Sequence, residues 1–137
     1  MADEPSIETL LLADWAEAIA GKLYVMGGGF TTIAVTSFEQ PYRFAIAAVL
    51  RIPRPLFGQA IPVSGRLETA AGEPVDSWRL DGEITAGDDG PPDRDGTAVV
   101  AGPVELKVDG PGDLVLKFRF GPDERAVPFT VGLSGVS

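Results

Sequence analysis

Apolar and polar positions alternate with a period of two through most of the chain, the spacing of half-buried β-strands. Leu114, Leu116, Phe118 and Phe120 alternate with Val115, Lys117 and Arg119. Upstream, Val104, Leu106 and Val108 alternate with Glu105, Lys107 and Asp109, and Gly110-Pro111-Gly112 turns the chain between the two runs. After the break at Gly121-Pro122-Asp123, Val127, Phe129 and Val131 alternate with Pro128 and Thr130. Proline cannot donate to a strand ladder, so this last strand is expected at a sheet edge or a bulge. In the middle, Ile61, Val63 and Leu67 alternate with Ser64, Arg66 and Glu68. A turn at Ala71-Gly72-Glu73-Pro74 follows, and then Trp78, Leu80 and Ile84 alternate with Ser77, Arg79, Asp81 and Glu83. Phe44 to Ile52 is apolar in both phases apart from Arg51, which predicts a central strand covered on both faces. Turn signals recur roughly every eight to fifteen residues, the rhythm of a sandwich rather than of βαβ units.

The segment Asp14 to Gly21 reads two ways. Its residues are good helix formers, and Gly21 stands where a helix C-cap would. Alternatively, a strand from Glu8 to Ile19 turns at Ala20-Gly21 and returns as Lys22 to Met26. Local sequence leaves both open. The stretch from Leu11 to Phe30, LLADWAEAIAGKLYVMGGGF, resembles the opening of a family of small bacterial proteins of unknown function. Its members begin LLADxAxxxxGKLxxxGGG, followed by an aromatic residue. The end of the chain, Val104-Glu-Leu to Pro128-Phe-Thr-Val131, is similar to the family's closing pattern. The loop Asp88 to Gly96 departs from that pattern by being longer and more acidic. The resemblance implies a β-sandwich whose first two strands form a hairpin around Gly21-Lys22, and so favours strand over helix. It implies no activity. Together the patterns predict an all-β chain, an antiparallel immunoglobulin-like sandwich of about seven to nine strands. It is expected to be one domain over 1–137, with flexible ends at 1–6 and 133–137.

Composition adds exclusions. A chain of 137 residues suffices to bury a core without crosslinks. Seventeen glycines and twelve prolines fall largely in the turns between strands. There is no His and no Cys, which removes His-based triads, thiol nucleophiles, zinc fingers, iron–sulfur clusters and disulfides. No catalytic residue and no cofactor are assigned on this reading. Eleven basic residues against 20 acidic ones give a net charge of −9, and the basic residues are scattered. Nucleic acid and anionic membrane surfaces are therefore disfavoured as partners. The opening Met1-Ala-Asp-Glu-Pro5 is acidic where a secretory signal is basic, and no run approaches the roughly 20 apolar residues of a membrane helix. A cytoplasmic location is the expectation, compatible with the absence of cysteine.

Several residues invite chemical readings. Gly27-Gly28-Gly29 lacks the following helix and the Lys-Ser/Thr pair of a phosphate loop, so it reads as a bulge or a passage between sheets. Asp88, Asp89, Asp93 and Asp95 place four carboxylates in eight residues and form the one candidate calcium site, although the EF-hand spacing is not met. Solvated turn residues explain the same loop. Eight acidic and two basic residues between Glu73 and Asp95 supply six of the nine net negative charges. This stretch is either an acidic docking face, with Asp81 and Glu83 on one side of a strand, or a solvated hairpin. The spacing of Asp81 and Glu83 superficially suits a glycosidase pair, but no apolar neighbours raise a pKa. Trp78 falls on the apolar phase of its strand and reads as core. Trp15, Trp78, Tyr24 and Tyr42 are the aromatics most able to stack on a sugar or a partner, Trp15 or Tyr42 serving the ligand-binding reading, and Trp15, if exposed, is an interface anchor. Arg51 to Phe57 reads as a rigid crossover between sheets. The functional expectation is a non-catalytic interaction or structural module that binds a protein partner or itself as a homo-oligomer, through sheet edges or an acidic face. A ligand- or calcium-binding sandwich is the alternative.

Overall fold

Between Phe44 and Ile52 every second side chain enters one apolar core and the intervening ones lie on the opposite face, and the fold is organised about that strand. A computed structural model describes residues 4–87 and 93–134. These form ten strands: β1 (Ser6–Ala13), β2 (Trp15–Ile19), β3 (Lys22–Met26), β4 (Thr32–Val35), β5 (Tyr42–Ile52), β6 (Ala60–Thr69), β7 (Pro74–Thr85), β8 (Gly96–Leu106), β9 (Gly112–Phe120) and β10 (Asp123–Leu133). One sheet has the order β1-β5-β8 and the other β4-β10-β9-β6-β7, while β2 and β3 pair only with each other. All pairings are antiparallel except β4 with β10. Mapped on the immunoglobulin sandwich, β1, β5 and β8 occupy the places of strands A, B and E. The order β10-β9-β6-β7 is that of G, F, C and C′. The all-β, immunoglobulin-like expectation is met, with ten strands in place of seven to nine.

The sandwich core combines Phe44, Ile46, Leu50 and Ile52 of β5 with Leu116, Phe118 and Phe120 of β9, Leu67 of β6 and Val131 of β10. Phe44 and Phe129 meet edge to face across the two sheets at 5.7 Å, a geometry preferred by ring quadrupoles. The sheets are also tied at one open corner. The Ser77 hydroxyl accepts from the Lys107 N–H (3.0 Å) and donates to the Glu105 carbonyl (2.8 Å). The Arg51–Phe57 crossover includes a single 3-10 turn, Arg54–Leu56, and carries the chain from β5 to β6 in the other sheet.

Three sequence expectations are corrected. The proposed strand Glu8–Ile19 is two strands, broken at Asp14, because β1 belongs to the β5 sheet and β2 to the hairpin. Ser6 and Leu133, assigned to flexible ends, are strand residues. β10 lies inside its sheet rather than at an edge. Pro128 is accommodated because its nitrogen faces the β4 side, as the Thr130 N–H does, and β4 joins β10 only from Thr130 onward, so no ladder bond is lost there.

Candidate interaction surface

The first strand position of the sandwich is split. β1 pairs in one sheet, β4 in the other, and the chain between them forms the β2–β3 hairpin. Ala20 and Gly21 both have positive φ (51° and 76°) and Ile19 faces Lys22, which defines a two-residue type I′ turn. The backbone twist of that turn matches the twist of the flanking strands, which is why so short a connection closes here. At the base, the Asp14 N–H donates to the Met26 and Gly27 carbonyls (3.0 and 3.3 Å), and the Gly29 N–H donates to the Leu12 carbonyl (2.8 Å). Gly27 is required twice over: its φ is +65°, and a Cβ there would stand 2.2 Å from the Asp14 carboxylate. The three glycines therefore return the chain from the hairpin to the second sheet, in agreement with the passage reading.

Cross-strand partners share a face, so the hairpin has two distinct sides. Ala16 and Leu23 point inward and pack on Ala13, Ala45, Ala47, Leu11 and Ala101, on the outer face of the β1-β5-β8 sheet. This satellite core is why β5 is apolar in both phases: one side meets the sandwich, the other meets the hairpin. Alanines at 45 and 47 let the hairpin backbone lie close to the sheet. The outer face carries Trp15, Glu17, Ile19, Lys22, Tyr24 and Met26. Trp15 is 46% exposed and Met26 65%, with Ile19 and Tyr24 comparable to Trp15. Among the described residues, five of the six large apolar side chains classed as exposed lie on this hairpin, Val25 completing the set. Beside it, a cleft of about 290 Å³ opens between Asp14, Trp15, Ala16, Arg43 and Pro103, with Arg43 paired to Glu105 at 3.3 Å.

The other candidate residues lie elsewhere. Asp81 and Glu83 sit on the outer side of β7, the edge of the five-stranded sheet, and are exposed. Asp81 pairs with Arg79 at 3.2 Å. Trp15 and the acidic pair thus occupy opposite outer faces of the sandwich and form no common site. Asp88 and Asp89 of the candidate calcium loop lie outside the described residues. Asp95 is engaged by the protein itself: its carboxylate pairs with the Arg51 guanidinium and accepts from the Arg54 N–H at 3.2 Å. Among the described residues no group of three or more Asp or Glu is placed to hold a metal. Trp78 is half-buried against the core, and Tyr42 packs beside Phe44 at 6.4 Å.

No family model and no curated protein matches the chain. Its fold is similar to solved structures. The alkylpurine DNA glycosylase AlkC of Pseudomonas fluorescens, bound to DNA containing an abasic site analog, superposes with a TM-score of 0.55 at 12% identity. That match covers 93% of this chain and 30% of the glycosylase, so the chain spans less than a third of that neighbour. The C-terminal domain of Wzt superposes with a TM-score of 0.53 at 12% identity, over 95% of this chain and 74% of that domain. At these identities the likeness is one of fold. No helix among the described residues is long and apolar enough to cross a membrane.

The outer face of the β4-β10-β9-β6-β7 sheet carries a charge cluster that the alternation of apolar and polar positions does not reveal. Glu68 is largely covered. It accepts from Arg66 at 2.7 Å and from Lys117 at 3.1 Å, and Arg66 also reaches Glu124 at 3.6 Å. The Arg66 hydrogen bond, followed by that of Lys117, holds the Glu68 carboxyl below its usual range, and Glu68 in turn raises Arg66. Its charges are mutually satisfied, so it reads as structural. The signal was present at Arg66 and Glu68, two apart on one strand, but Lys117 joins them only through the β6–β9 register.

Proposed function

We propose that this chain is a non-catalytic interaction module that docks a protein partner on the outer face of the β2–β3 hairpin, with Trp15 as the anchor. One observation carries the reading: large apolar side chains exposed to water are concentrated on one hairpin whose small side chains face the sheet. Contiguous exposed apolar surface rimmed by polar groups marks interaction sites, and Trp and Tyr are favoured at their centres. Lys22 stands at the rim, and Glu17 lies within the patch opposite Tyr24. The lack of His and Cys in the sequence supports the non-catalytic part, and a cysteine-free chain suits a reducing cytoplasm. β7 has the weaker claim, because charges along an edge strand oppose pairing.

The test is a photo-crosslinking amino acid at Tyr24, compared with the same residue at Asp81, in the cells the protein comes from. A discrete adduct from position 24 and none from position 81 is expected. Equal adducts from both positions, or none from position 24, refute the docking face.

A further inference from the structure

Resting on that reading of the hairpin as the interaction element, we infer that a second copy of this chain joins it strand to strand along β3 about a two-fold axis at Tyr24, extending the outer face across both copies rather than covering it. A two-residue turn makes Ile19/Lys22 a hydrogen-bonded pair, and alternation makes Glu17/Tyr24 another. The N–H and C=O groups of Leu23 and Val25 therefore point away from β2, along an edge where β3 has no partner strand among the described residues. Antiparallel pairing of β3 with its copy sets Leu23 opposite Val25 of the second chain, and Val25 opposite its Leu23. Both are then hydrogen-bonded pairs, and Tyr24 faces Tyr24 between them in a non-hydrogen-bonded pair. The parity closes with no register slip, giving four new backbone hydrogen bonds and a four-stranded sheet.

The edges of the two larger sheets are defended and this one is not, while β2, the hairpin's other edge, lies against β8. β7 begins at Pro74 and carries Asp76, Arg79, Asp81 and Glu83. β8 contains Gly102-Pro103. β4 has four residues, and β1 has a register shift between Ile7 and Thr9. These are the devices by which edge strands avoid pairing. β3 reads Lys-Leu-Tyr-Val-Met, β-prone throughout with one charge at its end.

Charge favours a like partner. Across the two-fold, Lys22 faces Met26 of the other copy, and the two Lys22 residues stand roughly 14 Å apart at about 3.4 Å per residue. That exceeds the screening length of about 8 Å at physiological salt. Self-pairing of β7 would instead oppose like charges, since three of its four charged residues are acidic. The pairing also joins Trp15, Tyr24 and Met26 of both copies into one apolar face, which makes the interface isologous.

The test is sedimentation of the full chain from about 1 to about 200 µM, a span that brackets a modest interface. A concentration-dependent dimer is expected. Tyr24→Glu and Tyr24→Lys are each expected to weaken it by at least about tenfold, because each sets like charges directly opposite. Mixing the two variants restores it. That restoration shows that both variants fold and that position 24 faces itself. Tyr24→Cys, the only cysteine in the chain, crosslinks to a dimer on mild oxidation, and Asp81→Cys does not. A monomer throughout the range overturns the second-copy inference while leaving the docking face to be judged by photo-crosslinking. A dimer indifferent to Tyr24→Glu, or Tyr24→Cys that fails to crosslink, places the contact elsewhere and overturns it too.

Discussion

Trp78 and Gly65 offer the sharpest test of the packing. β6 and β7 slip out of register between Arg66 and Leu67, and Trp78 lies in the resulting bulge of β7. The indole reaches over β6 at Gly65, where a Cβ would stand 2.5 Å from its Cη2 and 3.1 Å from its Cζ3. Carbon atoms rest at about 3.5–4.0 Å, so an alanine there requires the ring tip to retreat by roughly 1 Å. Such overpacking costs about 1–3 kcal/mol. Restricting the unfolded chain by replacing glycine returns about 0.5–1 kcal/mol. Gly65→Ala is therefore expected to lose about 1–2 kcal/mol, lowering Tm by roughly 3–8 °C for a domain of this size. The assay is urea unfolding followed by fluorescence in a Trp15→Phe background, which leaves Trp78 as the only indole of the two. Emission should shift to the red as the ring moves toward water. In a Trp78→Leu background the same Gly65→Ala change should become neutral or stabilising, a coupling of about 1–3 kcal/mol between contacting residues. If Gly65→Ala stabilises the protein with Trp78 present and emission unchanged, the indole does not cover Gly65 and the reasoning fails.

Three further predictions concern the turn, the charge cluster and the acidic loop. Ala20 holds φ = 51°, which costs a side chain with no local hydrogen bond about 1 kcal/mol. Ala20→Asn creates the favoured Asn-Gly turn and should raise hairpin stability by about that much, read as slower amide exchange in β2 and β3; unchanged exchange would count against the type I′ assignment. Glu68 has a folded pKa below its unfolded value of about 4.5. Its contribution is complete above that value and disappears as pH falls through the lower, folded one. Stability measured from pH 6 downward should therefore drop below about 4.5 in the wild type and drop less in Glu68→Gln; parallel curves would remove Glu68 from the account. Asp95→Ala removes one partner of Arg51 and the acceptor of the Arg54 N–H and should cost about 1 kcal/mol by thermal unfolding. With Asp95 so engaged, millimolar calcium should leave the wild-type Tm unchanged; a rise in Tm would mean that the ion displaces Arg51.

The strands that pack one face on the core were readable because their period is two and their turns carry Gly and Pro. β6, β7, β9 and β10 are all of this kind. β5 was readable for the opposite reason, since a run apolar in both phases has to be covered twice. The break at Asp14 was not readable. No glycine or proline marks it, and its cause is distant in sequence: the Asp14 N–H turns to Met26 and Gly27, twelve and thirteen residues on. The exposure of Trp15 escaped for a related reason. Ala16 and Leu23 on one side of the hairpin and Trp15, Tyr24 and Met26 on the other are all apolar, so alternation cannot tell covered from bare. The partner of Asp95 was not readable either, since Arg51 stands 44 residues before it and meets it only because β5 and β8 are neighbours.

The orientation of the hairpin is itself an argument about selection. A hairpin whose task was to cover the outer face of β5 would turn its largest side chains toward that face, where burial is worth about 25 cal/mol per Å². Here the contact is made by Ala13, Ala16, Ala45, Ala47 and Ala101, with Leu11 and Leu23 alone contributing bulk. Trp15 and Tyr24, each 46% exposed, leave roughly 70–115 Å² apiece in water from aromatic side chains that bury 150–250 Å². At the same coefficient that forgoes about 2–3 kcal/mol per residue, a large share of the 5–15 kcal/mol that holds an ordinary domain together. Turning the hairpin over would bury them only if its backbone rose from the sheet, because it lies too close over Ala45 and Ala47 to admit an indole. The small residues on β5 and the large ones on the far side of β2 and β3 therefore form one arrangement: the sheet seats the hairpin closely so that its bulky face stays outward. An arrangement that gives up this much burial within the monomer is accounted for when a partner covers that outer face, which pairing along β3 would double in extent.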